Sequence, residues 1–148
     1  MKIGLTKGDS PLVLAQPHGG TEIPDAIFSR LSTTGQEKED TDWHITRLYE
    51  GLLEQATVIN TPIHRYVIDA NRDPSGQSLY PGQYTTGLCP TTTFDDRPLY
   101  IEGQAPSLDE ITDRQRQYHQ PYHDVVREQL ERVHQRHGYV VLYDCHSI

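Results

Sequence analysis

Only two cysteines, Cys89 and Cys145, occur in the 148 residues, and they stand far apart. A disulfide framework is therefore not expected, and reduced thiols are the default. No apolar run approaches the roughly 20 residues that a membrane span needs. The N-terminus also lacks an apolar signal region followed by a small-residue cleavage site. Positive charge is scarce: 13 basic residues against 21 acidic ones leave a net charge of −8. Nucleic acid and anionic membranes are thus poor partners, because their binders carry a basic face. There is no G-x-S-x-G, and Ser147 adjoins His146 instead of standing on a nucleophile elbow, which argues against a serine hydrolase. Hydrophobic residues make up only 34% of the chain, but they fall in blocks. The expectation is one cytoplasmic domain over residues 1–148 with a modest core.

The blocks have order. "LVLA" at 12–15 reads as a buried strand that ends in the loop Gln16, Pro17, His18, Gly19, Gly20. Pro24 suits the first position of a short helix through Ile27, Phe28 and Leu31, and "TTGQEKED" follows as a polar loop. Ile45, Leu48, Tyr49, Leu52, Leu53 and Ala56 recur at i, i+3, i+4, i+7, i+8 and i+11, which predicts a one-sided helix. Asp40 or Asp42 would cap it. "TVINT" and "YVIDA" predict strands at 57–61 and 66–70. Residues 73–106 are rich in proline and read as a long substrate loop. Ser107 with Glu110 has the capping-box pattern of a helix start. That helix should kink or split at Pro121 and stop at Gly138, before a last strand at 139–144. Alternation of this kind predicts an α/β/α sandwich around a mostly parallel or mixed sheet.

In such sheets the site lies off the carboxyl ends of the strands. Three predicted strand ends carry reactive groups: His18, the pair Asn71 and Arg72, and His146. Two histidines and one carboxylate make the three-ligand shell of a catalytic zinc, leaving a place for water whose pKa falls toward ~7. The acid is open between Glu22 and Asp42, while Asp144, one residue from His146 on an alternating strand, suits a supporting role. Arg72, with Arg65 as a second, has the fork that clamps carboxylates; an ion pair with Asp69 or Asp73 is the plain alternative. His119 and His123 lack the glutamate of HExxH. His44, His64, His134 and His137 are expected at the surface.

The segments "PHGGTEIP", "DTDWHITRLY", "VIDANRDP", "LYPGQYTTGLCPTTTFDDRPLY", "PYHDVV" and "LYDCHSI" resemble, in this order, those of N-formylglutamate amidohydrolases. The resemblance runs from about Leu12 to Ile148. It implies a phosphorylase/hydrolase-type fold related to the zinc carboxypeptidases. The reaction implied is cleavage of N-formyl-L-glutamate to L-glutamate and formate by a zinc-activated water, in histidine degradation. On the matching positions it implies His18, Asp42 and His146 as ligands of Zn2+, with Glu22 open as the acid on the carboxypeptidase pattern. Arg65, Asn71, Arg72, Thr86 and Gly87 would bind substrate. Cys145 stands where the family motif has alanine. Family members continue past this histidine, and the general base, a glutamate, would lie in that further part. The alternative is a fragment that binds metal or a dicarboxylate without turnover. A bare sheet edge at its end would favour self-association.

Overall fold

A computed structural model describes residues 2–75 and 87–147. Its centre is a four-stranded mixed sheet of β1 (Gly4–Thr6), β2 (Leu12–Gln16), β3 (Thr57–Asn60) and β4 (Val141–Asp144), in the order β1-β3-β2-β4. β2 runs parallel to both β3 and β4, and β1 closes one edge antiparallel to β3. β1 was not foreseen; with three residues it is too short to show periodicity. β2 is apolar from Leu12 to Ala15 because both its faces are covered. Val13 packs with Ile59, Tyr122 and Val133 on one side, and Leu14 packs with Ile45, Ala56 and Cys145 on the other.

The first of those sides is covered by a long helical rod. α4 (Leu108–Arg114) leads through a π-helical stretch (Gln115–His119) into α5 (Gln120–His137). Ser107 caps α4 as expected, accepting from Glu110 N at 3.2 Å, but Glu110 pairs with Arg30 and Arg114 and so completes no capping box. Pro121 does not split the rod. The turn before it widens so that Gln120 N–H reaches Gln115 O, and the proline falls in the first turn of α5 where a missing donor costs little. Gly138 ends α5 in the left-handed conformation, φ 77°.

The opposite layer is thinner than the periodicity predicts. α3 spans only Ile45–Tyr49; Glu50 turns extended and Gly51 has φ 69°. Ile45 is buried, whereas Leu48 and Leu52 are 65% and 64% exposed. The apolar stripe finds a partner only over its first turn, and packing rather than propensity sustains a helix this short. His44, not Asp40 or Asp42, precedes the first helical residue. The polar stretch after Leu31 contains a helix instead of a loop: α2 (Thr33–Glu37), capped by Ser32. The helix after Pro24 is confined to α1 (Asp25–Phe28).

"YVIDA" is not a strand. Val67 and Asp69 are fully buried, but the backbone turns: Val67 N donates to His64 O, Tyr66 N to His64 Nδ1 and Asn71 N to Asp69 Oδ1. Tyr66 and Val67 reflect burial against Ile27, Leu31, Leu99 and Tyr100 rather than sheet pairing. Leu99 and Tyr100 show that the second half of the long proline-rich segment contributes to this core. Among the described residues no helix is long and apolar enough to cross a membrane.

Candidate metal centre

The parallel pairing of β2 with β4 aligns Ala15 with Asp144, so His18 and His146 emerge from neighbouring strand ends. The third element is the turn before α3, where three consecutive side chains take three different partners. Asp40 accepts from Tyr66 Oη at 2.8 Å, Thr41 meets His64 Nε2 at 2.8 Å, and Asp42 faces the two histidines. Asp42 N donates to His18 O at 3.1 Å, which fixes that turn to the loop after β2. Gly20 permits the loop itself: a Cβ there would lie 2.5 Å from the Pro62 and Ile63 carbonyl oxygens.

The donor atoms form a small triangle. His18 Nδ1 and His146 Nδ1 are 3.2 Å apart, His146 Nδ1 and Asp42 Oδ2 3.3 Å, and His18 Nδ1 and Asp42 Oδ2 3.8 Å. Donors around a tetrahedral zinc, each at about 2.0–2.1 Å, are separated by about 3.4 Å. The outer nitrogens are tied to carboxylates. His18 Nε2 meets Asp69 Oδ1 at 2.7 Å and His146 Nε2 meets Asp144 Oδ2 at 2.9 Å. With the proton of each ring held there, both Nδ1 lone pairs converge on the Asp42 carboxylate, and three acceptors meet without a donor. Such a pocket calls for a cation. The residues present therefore fit a divalent metal.

Without metal, a proton serves instead. Hydrogen bonds that the ring donates to Asp144 and Asp42, opposed by burial, push the His146 imidazole up to about 9. Burial would raise the Asp42 carboxyl, but the hydrogen bond to His146, the neighbouring histidine charges and the Ser147 amide together hold it below its ordinary range. Burial likewise opposes ionisation of Asp69; its bond to His18, the charges of His18 and Arg65, and the Asn71 N–H outweigh it and hold it far below that range.

Glu22 lies elsewhere: it is exposed, and its backbone bridges to Ile63. Asn71 is beside the centre, its Nδ2 3.2 Å from His146 Nε2. Arg72 follows it, half-buried, with Nη1 donating to Asn71 O at 3.1 Å. Arg65 differs from the carboxylate clamp expected of it. Its guanidinium is 5% exposed, donates to Asp69 Oδ2 at 2.6 Å and lies 4.6 Å from the Phe94 ring centre. The plain ion-pair alternative describes it. Gly87 is exposed with open space around it, and Thr86 lies outside the described residues.

Two buried residues escaped the sequence reading. Asp69 entered only as an ion-pair partner of arginine, although its place two residues before Asn71 in "VIDANRDP" was the available signal. His64 was expected at the surface and is fully buried. It accepts from Tyr66 N and holds its proton toward Thr41, and burial depresses it to about 3.

The family model described as N-formylglutamate amidohydrolase matches residues 10–148. Two curated proteins named N-formylglutamate deformylase, from Pseudomonas putida and Pseudomonas aeruginosa, are each 40% identical over 143 and 147 residues. Those alignments cover 96% and 99% of this chain but 53% and 55% of the relatives, so the chain spans about half their length. A crystal structure of N-formylglutamate amidohydrolase from Ralstonia eutropha JMP134 is similar with a TM-score of 0.78 and 27% identity, over 99% of this chain and 56% of that one. The gene product Atu2144 of Agrobacterium tumefaciens shares the fold, with a TM-score of 0.70 at 24% identity and the same two coverages.

Proposed function

Because the chain belongs to the N-formylglutamate amidohydrolase family, we propose that it acts on N-formyl-L-glutamate, releasing L-glutamate and formate. On this reading it serves histidine degradation in the cytoplasm. The triangle of His18 Nδ1, His146 Nδ1 and Asp42 Oδ2 carries the proposal, since its three acceptors converge where a Zn2+ ion would be held. A zinc ion there would supply Lewis acidity and lower the pKa of water toward about 7. The protein's own groups do the rest. Asp69 and Asp144 keep the two imidazoles in the tautomer that presents Nδ1. Asn71 and Arg72, on the turn beside His146, orient the substrate: the amide offers hydrogen bonds and the guanidinium a fork for a glutamate carboxylate. In the net reaction water oxygen bonds to the formyl carbon, the C–N bond breaks, and the amine nitrogen takes the proton.

The test is release of formate from N-formyl-L-glutamate by zinc-loaded protein. Equal yields of formate and glutamate, lost in His18→Ala, support the proposal; zinc uptake with ligand binding but no formate overturns it. That second outcome is the alternative reading, binding without turnover. For partners, we propose a small N-formylated amino acid and a second copy of the chain. The latter would pair along β4, where Val141, Leu142 and Tyr143 are each about half exposed.

A further inference from the structure

The turn that carries Asn71 has no place in the sheet, yet its carbonyls are held. Three donors on the α4–α5 rod reach three backbone oxygens in sequence. Arg114 Nη1 donates to Val67 O at 2.9 Å, His123 Nε2 meets Ala70 O at 2.8 Å, and His119 Nε2 meets Arg72 O at 3.0 Å. The two imidazoles thus grip the carbonyls on either side of Asn71. From the other side, Asp69 Oδ1 accepts Asn71 N at 2.9 Å and Asp69 O accepts Arg72 N at 3.2 Å. Both histidines must carry their proton on Nε2 to make these bonds, because a carbonyl only accepts.

The π-helical stretch makes this alignment. Five residues of α-helix turn about 500°, which would leave His119 about 140° from Arg114. An i→i+5 stretch turns less per residue, roughly 80–85°, and brings His119 back to roughly 50° from Arg114. His123 then follows one α-helical turn on, its ring centre 4.2 Å from that of His119. Arg114, His119 and His123 come to share the face that meets residues 67–72. Widened turns of this kind recur at functional sites, and this one ends at a histidine.

We propose that His119 and His123 are positioning residues that hold Asn71 against His146 and so set the orientation of the bound ligand. The inference rests on the substrate reading above for its functional part, and on the hydrogen bonds alone for its structural part. Two measurements separate these. In zinc-free protein, amide hydrogen exchange at Asn71 and Arg72 is expected to quicken by about tenfold in His119→Leu and His123→Leu, as expected for losing a bond to a buried carbonyl. In zinc-loaded protein, the same variants are expected to bind N-formyl-L-glutamate about tenfold more weakly, with a smaller change in zinc affinity. His119→Gln and His123→Gln, which keep an N–H at similar reach, are expected to restore both. Unchanged exchange, or glutamine variants no better than leucine ones, overturns the clamp. Failure of the parent protein to bind N-formyl-L-glutamate overturns the orienting role while exchange still decides the clamp. Should the buried position 119 not tolerate leucine, the half-buried His123 pair of variants decides alone.

Discussion

His18 Nε2 and Asp69 Oδ1 lie 2.7 Å apart in the interior, and Asp69 Oδ2 takes Arg65 at 2.6 Å from the other side. One buried carboxylate therefore orients a candidate ligand and neutralises a buried guanidinium. Asp69→Ala removes both supports. Leaving Arg65 unpaired should cost about 3–5 kcal/mol of stability, read by urea denaturation of the metal-free protein. Zinc affinity should fall by about 10–100-fold in titration calorimetry, the usual effect of losing a carboxylate behind a histidine ligand. Native zinc affinity in a folded variant would refute this role.

Glu22 and Asp42 are separated by a single comparison. Asp42→Ala, like His18→Ala and His146→Ala, should abolish stoichiometric zinc uptake measured by plasma emission on dialysed protein. Glu22→Ala should leave it intact, since that carboxylate is exposed and outside the triangle. Loss of zinc in the Glu22 variant would reverse the assignment.

Gly20 tests the loop that delivers His18. A methyl group there meets the backbone of Pro62 and Ile63 at 2.5 Å, and backbone cannot step aside cheaply. Gly20→Ala should lower stability by about 1–3 kcal/mol and weaken zinc binding with it. A melting temperature and zinc affinity equal to the parent's would show that the contact yields.

His64 predicts an acid-side loss of stability. Burial depresses its folded pKa from 6.5 to about 3, so below 6.5 the unfolded chain takes up a proton that the folded chain refuses. Its contribution is fully present above about pH 6.5 and is lost progressively as pH falls toward 3. His64→Gln, uncharged throughout, should show a shallower slope of unfolding free energy between those limits. An equal slope would assign the acid sensitivity to other groups.

The β4 edge predicts association. Leu142 is 47% exposed on a strand whose outer backbone has no neighbour among the described residues. Sedimentation velocity should show dimers or larger species, shifted toward monomer by Leu142→Lys, because a charge on an edge disfavours pairing. A monomeric parent protein would exclude this edge as an interface.

Local signals in the sequence held wherever one residue's chemistry suffices. "LVLA" and the run before His146 became adjacent strands because short apolar runs bounded by polar turns have few other uses. Ser107 capped a helix and Gly138 ended one, each through its own backbone or side-chain preference. Signals that depend on a partner fared differently. The heptad-like spacing from Ile45 to Ala56 is helical in pattern, but helix persists only where Ile45 and Tyr49 meet the sheet. "YVIDA" looks like a strand because it is buried, and its amides turn to His64 and Asp69 instead.

The candidate centre divides the same way. By itself the sequence determined that two histidines stand at strand ends and that acids lie near them in the chain, since strand periodicity and turn residues are local properties. Only the tertiary structure chose Asp42 over Glu22 as the acid in the triangle, drew Arg65 inward to Asp69, and set two helix histidines on either side of Asn71. The first and last of those outcomes depend on distances between residues tens of positions apart, and the second on how a four-residue turn is buried. Such distances arise from parallel strand register and from the turn geometry of a widened helix.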